Sequence, residues 1–417
     1  MLRTLFVDFN SFFASVEQHL QPQLRGRPVG VVPVEAESTC CIAASAEAKA
    51  FGVKTGTPVH EARRRCPGIV FVLAQHAKYV QVHHDAIAVI DRVVPVQDVM
   101  SIDEMACSLT GRWRARDQAE RIARQVKAAL RDELGACLTC SIGIAPNTLL
   151  AKLASNMHKP DGLTVLEQAD IPARLLHLAP GAFYGIGPRM VARLARAGIA
   201  TMAELYAAPR ELLHSAWGGV AGDEMYDKLR GMPYAQRVSP ARSLGHSHVL
   251  PPELRHPEGA LSVLNRLTQK AAMRLRKQGH YATAMAVGVR CAHRYHDQAG
   301  GGRDTRFGET QDTTFLLQTL HTLWHSGLQQ LQAPKAVSVT LLGLVPAALH
   351  TLPLFDAPDP VEATQPPRDR GRLNAAVDRI NKAHGKNALY FASAHGALNE
   401  APMRIAFNRI PDIETER

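Results

Sequence analysis

The chain has 417 residues, 46% hydrophobic and 21% charged, enough for about two to four soluble domains with cores of their own. Its net charge of +10 favours a polyanionic partner, nucleic acid first, and no apolar run approaches the roughly 20 residues that span a bilayer. Seven cysteines at this length make no disulfide framework, so the expectation is a reduced, cytoplasmic protein without a signal peptide.

Residues 4–10 read as a short buried strand ending in Asp8. An acid that closes an apolar run suits a strand-end site better than a surface. A helix follows from Phe12, capped near Asn10 or Ser11. Phe12 and Phe13 are ordinary core residues on one reading; on the other they place an aromatic ring one turn beyond Asp8. Residues 18–74 hold short apolar segments, among them 29–32 and 40–44, and then a helical Ser45-Ala46-Glu47-Ala48-Lys49-Ala50. A helix-like apolar stretch covers 79–96. Within it His83 and His84 are adjacent, cannot share a helix face, and read as surface or packing residues.

Asp103 and Glu104 lie between two apolar runs, 93–96 and 105–109. Neighbouring side chains of a regular strand point to opposite faces, so these two share a site only where the strand ends or turns, as at a hairpin tip. A solvated turn is the plain alternative; Asp8, an acid in the same setting, weighs against it. Three carboxylates close together repel and need cations, and oxygen ligands of this kind suit Mg²⁺. Two such ions about 4 Å apart clamp the attacking and leaving oxygens of a phosphoryl transfer. Residues 112–134 form an amphipathic helix with Ile122, Val126, Ala129 and Leu130 on one side. Cys137 and Cys140 make a C-x-x-C with no second ligand pair, in an apolar strand-like run, and read as structural. Strands alternating with helices around the acids predict a ferredoxin-like βα sheet.

In Phe183-Tyr184-Gly185-Ile186-Gly187-Pro188-Arg189-Met190, a Gly-x-Gly turn sits between two expected short helices, the second over 191–197. Such a turn lets backbone N–H groups approach a phosphate, although glycines also simply end helices. A polar run to Arg242 reads as a linker. From 244 to 344, strands at 283–290 and 335–344 alternate with helices at 259–278 and 314–330. Residues 237–335 carry 13 Lys or Arg against 6 Asp or Glu, a surplus that usually means only a solvated face but also suits phosphate contacts through residues such as Arg242, Arg290 and Arg294. The tail opens with Leu349-His350-Thr351-Leu352-Pro353-Leu354-Phe355-Asp356 and a Pro- and Asp-rich stretch, then a helix over 373–382 and an extended 388–391.

The run Asp8-Phe9-Asn10-Ser11-Phe12-Phe13-Ala14-Ser15-Val16-Glu17, with Ser101-Ile102-Asp103-Glu104, resembles the Y-family translesion DNA polymerases. The resemblance continues through 141–155 and Lys159-Pro160-Asp161-Gly162, and covers residues 1 to about 345 in family order. It implies an α+β, multidomain right-hand polymerase. The ferredoxin-like palm would be 1–17 and 75–165, the small fingers 18–74, and the helix-hairpin-helix thumb 166–233. A linker over 234–243, an α+β little finger over 244–345 and a tail over 346–417 would follow. Asp8, Asp103, Glu104 and the Phe9 backbone carbonyl would hold two Mg²⁺ ions. Phe12 and Phe13 would meet the nucleotide, with Phe13 as the steric gate against a 2′-hydroxyl, and Lys49 and Lys159 would contact the triphosphate. Gly185, Gly187 and Arg189 would grip the duplex backbone. Many relatives carry a Tyr and an Arg where this chain has Ala46 and Lys49; that departure, and Asn10, resemble the catalytic subunit of bacterial DNA polymerase V.

Residues 351–356 resemble sliding-clamp binding peptides through Leu352, Leu354 and Phe355, with Thr351 where those usually begin with Gln; a local packing anchor is the alternative. The implied partners are primer-template DNA, deoxynucleoside triphosphates, a sliding clamp, and an activating subunit or recombinase filament, for a monomer without a membrane. No stretch is left for a proofreading exonuclease. Two other readings are a non-catalytic DNA- and clamp-binding scaffold, which the three acids oppose, and a palm-fold nucleotidyl cyclase, which the Gly-x-Gly turn and basic C-terminal region oppose.

Overall fold

Leu5, Phe6 and Val7 are apolar on both faces of the first strand, β1 (Thr4–Phe9), and are wholly buried, as suits the centre of a covered sheet. In the computed structural model the described residues are 1–37, 39–234, 241–291, 300–351, 370–385, 388–398, 400, 405 and 410–411. They fall into two compact units, Met1–Gln236 with Ile405–Pro411, and Arg237–Arg404 with Asp412–Arg417.

In the first unit β1 is followed by α1 (Phe12–Leu20), β2 (Val29–Val32), β3 (Ala43–Ala44), α2 (Ala46–Ala50), α3 (Val59–Arg65), β4 (Val70–Leu73) and α4 (His76–Val93). Then come β5 (Val96–Val99), β6 (Glu104–Ser108), α5 (Arg116–Leu134), β7 (Cys140–Ala145), α6 (Thr148–Met157) and β8 (Leu163–Val165). Four helices close it, α7 (Pro188–Arg196), α8 (Met202–Ala207), α9 (Arg210–Trp217) and α10 (Val220–Leu229). A five-stranded sheet runs β5-β6-β1-β7-β8, and a small one runs β3-β2-β4. The expected helix over 79–96 instead ends at Val93, because Pro95 forces Val94 out of helical geometry and the chain re-enters the sheet at Val96. The helix expected from 112 begins at Arg116, after a 3₁₀ turn at Gly111–Arg114.

Antiparallel register partners share a face. Phe6 pairs with Ala106 on β6 and with Gly143 on β7, and this face receives α6. At Gly143 the helix comes so close that an added Cβ would lie 2.0 Å from the Ala151 carbonyl oxygen and 2.4 Å from the Ser155 nitrogen. Both obstacles are backbone of a buried helix and cannot step aside. Gly143→Ala should therefore destabilise the chain by more than about 3 kcal/mol, read as a lowered denaturant midpoint.

The second unit contains β9 (Ser243–Val249), α11 (Pro257–Lys277), β10 (His280–Cys291), β11 (Gly300–Thr310), α12 (Thr313–His325), β12 (Pro334–Leu342), β13 (Val345–Pro346) and α13 (Arg370–His384). Its main sheet runs β11-β10-β12-β9. Met285, Val287 and Val289 of β10 and Val337, Val339 and Leu341 of β12 are buried with Leu264, Leu267, Leu316, Leu320 and Trp324 of α11 and α12. The tail packs on α11 as well. Arg276 holds Asp378 of α13 through two bonds of 2.7 and 2.8 Å, Gln269 accepts from the Phe391 N–H at 3.2 Å, and Ala394 and Ala397 are buried.

Candidate active site

Asp8 is the residue before the end of β1, and its register partner across the sheet is Glu104, the first residue of β6. Their side chains therefore leave the same face, the one covered by α6. Asp103 precedes the strand in a tight turn closed by bonds from the Met100 and Ser101 N–H groups to the Glu104 carbonyl. The turn is what allows two consecutive acids to serve one site. It is fixed at three further points. The Phe9 N–H donates to the Asp103 carbonyl at 2.9 Å, the Ser101 hydroxyl donates to Oδ1 of Asp103 at 2.6 Å, and His83 of α4 meets the Ile102 carbonyl through Nδ1 at 2.7 Å. His83 is buried, and burial lowers it to about 4, so at neutral pH its ring is uncharged and Nδ1–H donates. It anchors the turn that carries Asp103, a role its position beside His84 did not reveal.

Two lysines face these acids. Nζ of Lys159 lies 2.6 Å from Asp8, and Nζ of Lys152, on α6, lies 2.5 Å from Glu104. Lys152 also rests over the Tyr184 ring, 4.1 Å from its centroid. Burial raises Asp8 to about 6, against the pull of Lys159 and with help from Glu104 and Asp103. Lys49, exposed on α2, stands in the same field: partial desolvation and then Lys159 lower its pKa, while Asp8 and Asp103 draw it up. The fold thus brings Asp8, Asp103, Glu104, Lys159 and Lys49 together from four places in the sequence.

Phe12 is buried, tilted against Phe9 and Phe13. Phe13 is half-buried and stacks on Tyr79 of α4, with centroids 4.5 Å apart and planes 16° apart, while His76 meets it edge-on. Ala46 begins α2, and Ser45 caps that helix by accepting from the Ala48 N–H. In the Gly-x-Gly turn, buried Phe183 and Ile186 anchor the loop and leave Gly185, Gly187 and Arg189 exposed. Gly185 has φ +90°, which a residue with Cβ rarely adopts, and Gly187 caps α7. The first half of the expected hairpin is a 3₁₀ turn at Pro180–Ala182 rather than an α-helix.

In the second unit, Arg242 is exposed just before β9, and Arg290 is exposed on the sheet face away from α11 and α12. Most of that face is small, with Ala284, Ala286, Gly288, Ser338, Thr340, Gly245 and Ser247, and register pairing places Leu342, Asp304 and Arg306 on it too. Arg306 falls in the glycine-rich β11, where no apolar alternation marks a strand. Arg294, Leu352, Leu354 and Phe355 lie outside the described residues. Cys140 is buried in β7, its thiol pushed up to about 12 by burial, and Cys137 is partly exposed; both are free thiols.

The donors at the acid corner are all oxygens, which fits a hard divalent cation. Among the described residues no three acids, histidines or cysteines converge tightly enough to hold an ion by themselves. Asp8 faces the Lys159 ammonium group and Glu104 that of Lys152.

The profile of the impB/mucB/samB family matches residues 7–156, and that of the family's C-terminal domain matches residues 241–354. DNA polymerase IV of Moorella thermoacetica is 35% identical over 395 residues, covering 93% of this chain and 95% of that protein. The chain belongs to the Y family of DNA polymerases. DNA polymerase IV of Pelotomaculum thermopropionicum is 31% identical over 393 residues, covering 92% of this Y-family chain and 93% of its own. Among solved structures, the Y-family DNA polymerase chimera Dbh-Dpo4(243-245)-Dbh is similar with a TM-score of 0.68 at 24% identity, over 83% of this chain and 100% of that one. The likeness gives the fold: the α+β right-hand architecture of palm, fingers, thumb and little finger expected from the sequence. Among the described residues no helix is long and apolar enough to cross a membrane.

Proposed function

We propose that this chain is a template-directed DNA polymerase of the error-prone translesion type, adding deoxynucleotides to a primer 3′ end in DNA damage tolerance. The observation that carries the reading is the acid corner itself, with Asp8 and Glu104 paired across β1 and β6 and Asp103 presented by the turn between β5 and β6. Chemistry in this family depends on divalent metal, and Mg²⁺, as two ions, is our assignment. Asp8, Asp103, Glu104 and the Phe9 carbonyl would hold the ions, which when bound stabilise charge on the attacking oxygen, the α-phosphate and the leaving pyrophosphate. Lys159 and Lys49 would turn from the acids to the triphosphate as point charges. Phe13 would lie under the sugar, backed by Phe12 and Tyr79.

In this reading the palm is 1–17 and 75–165, the fingers 18–74, the thumb 166–233 and the little finger 244–345. The small-residue face of the β9–β12 sheet lets a phosphate backbone come close, with Arg242, Arg290 and Arg306 supplying charge without base readout. The N–H groups at Gly185 and Gly187, with Arg189, would do the same in the thumb. The clamp contact at 351–356 belongs to this proposal, as does an activating subunit or recombinase filament.

The test is primer extension by the purified chain with Mg²⁺ and four deoxynucleotides. Template-dependent extension is expected; tight DNA binding without extension would favour the scaffold. A second expectation concerns pH. A carboxyl raised to about 6 is protonated below that pH, so an incoming cation must displace the proton. Mn²⁺ affinity, followed by calorimetry or electron paramagnetic resonance, should be flat above about pH 6 and weaken roughly tenfold per unit below it. Affinity independent of pH from 5 to 7.5 would remove Asp8 from the ligand set.

A further inference from the structure

Glu17 lies four residues beyond Phe13 on α1, so the two side chains leave one face of that helix. Glu17 is completely buried, and the hydrogen bonds to its carboxyl group recorded among the described residues come from neutral groups. The Tyr79 hydroxyl donates to it at 2.6 Å, the Gln21 amide at 2.9 Å and the Gln75 amide at 3.1 Å. A buried polar group is expensive, and an apolar side chain of similar volume would ordinarily stabilise such a place better. What the carboxylate provides is a fixed end for Tyr79. Burial, and next the bond to Glu17, keep the phenol protonated far above its ordinary range, so the hydroxyl is always the donor. Tyr79 is thus held by α1 at two points. Phe13 stacks on its ring and Glu17 takes its hydroxyl, and sliding α4 along α1 would break one or the other.

We propose that Glu17 is a positioning residue for sugar selection: by anchoring the Tyr79 hydroxyl it fixes the plane on which the Phe13 ring rests, and so how far that ring projects toward the sugar of the incoming nucleotide. The inference rests on the assignment of Phe13 as the gate. Phe13 would be the residue that meets the sugar; Glu17 acts two side chains away, through an oxygen that never touches substrate. Rigid backing is what lets a ring exclude one hydroxyl, because a ring free to retreat by a fraction of an ångström admits it.

The experiment measures kcat and KM for one deoxynucleotide and the matching ribonucleotide on a primed template. Tyr79→Phe removes only the hydroxyl, Glu17→Met removes the acceptor at similar volume, and Glu17→Gln keeps an acceptor oxygen. Each is made with Phe13 intact and in Phe13→Ala. With Phe13 intact, Tyr79→Phe and Glu17→Met should each lower the deoxy-over-ribo preference in kcat/KM about tenfold, and Glu17→Gln should restore most of it. In Phe13→Ala the same changes should move the preference by less than about twofold, since the anchored ring is gone. An unchanged preference in Tyr79→Phe, with Phe13→Ala effective, overturns the inference and leaves Glu17 a fold anchor. An equal fall in both backgrounds overturns it too, as general loosening. A preference that Phe13→Ala itself leaves unchanged overturns the gate assignment and the inference with it. If Glu17→Met does not fold, Tyr79→Phe, which loses a single oxygen, decides alone.

Discussion

Asp103→Ala should reduce primer extension at least about a thousandfold while primer-template affinity stays within a few-fold. The turn that carries Asp103 is held through its backbone, by the Phe9 N–H on the Asp103 carbonyl and by His83 on the Ile102 carbonyl, and alanine keeps both bonds. The side chain's own contact is the Ser101 hydroxyl, which reaches water once released. Removing the carboxylate also removes one of the charges that raise Asp8, so Asp8 ionises more readily and its pair with Lys159 survives. The variant is therefore a folded chain with one fewer oxygen for a cation. Groups assigned to the DNA backbone lie on other elements, at Gly185 to Arg189 and on the sheet of the second unit. Rapid-quench extension beside a DNA-binding isotherm separates the two properties. Extension that persists in Asp103→Ala would show that the cations are held elsewhere.

Phe13→Ala should lower discrimination against ribonucleotides about a hundredfold, chiefly by raising ribonucleotide kcat/KM. The ring is backed by the Tyr79 plane and flanked by the His76 edge and by Phe12, so it cannot give way to an added oxygen. Overpacking of that kind is worth about 1–3 kcal/mol, which sets the expected ratio. Alanine leaves a space that a 2′-hydroxyl fills. Competition between the two nucleotide types on one template gives the ratio directly; an unchanged ratio would place the selecting contact on another residue.

The acid corner was legible because its logic is local. An acid closing an apolar strand and two acids at a turn need no distant partner to be noticed, and register then brings Asp8 opposite Glu104. Supporting contacts were harder to see because each joins remote segments by shape alone. Nothing in the helical pattern of α4 says that His83 will reach the turn at Ile102, or that Tyr79 will meet a residue 62 positions earlier. Lys152 sits in a helix whose apolar face is plain, yet its pairing with Glu104 depends on how closely α6 lies on Gly143. Two strands of the second unit's main sheet escaped notice for a chemical reason. β9 turns His246 and His248 inward where an apolar residue would signal a strand, and β11 is largely glycine and charge on a face left open. The helix drawn through Val96 failed at a single residue, Pro95.

The packing of the tail on α11 also bears on how the protein is made. Ala397 belongs to the same buried cluster as Leu264, Met285 and Val339, although a ribosome reaches it some 56 residues after the last residue of that cluster's main sheet, Leu341. Arg276 likewise waits for Asp378. The second unit therefore cannot close its core, or neutralise the half-buried arginine beside it, until translation has passed both. Copies ended early by a frameshift or nonsense codon would leave the tail-facing side of α11 uncovered and offer it to chaperones and proteases. For a DNA polymerase, such a dependence ties survival of the product to completion of its message.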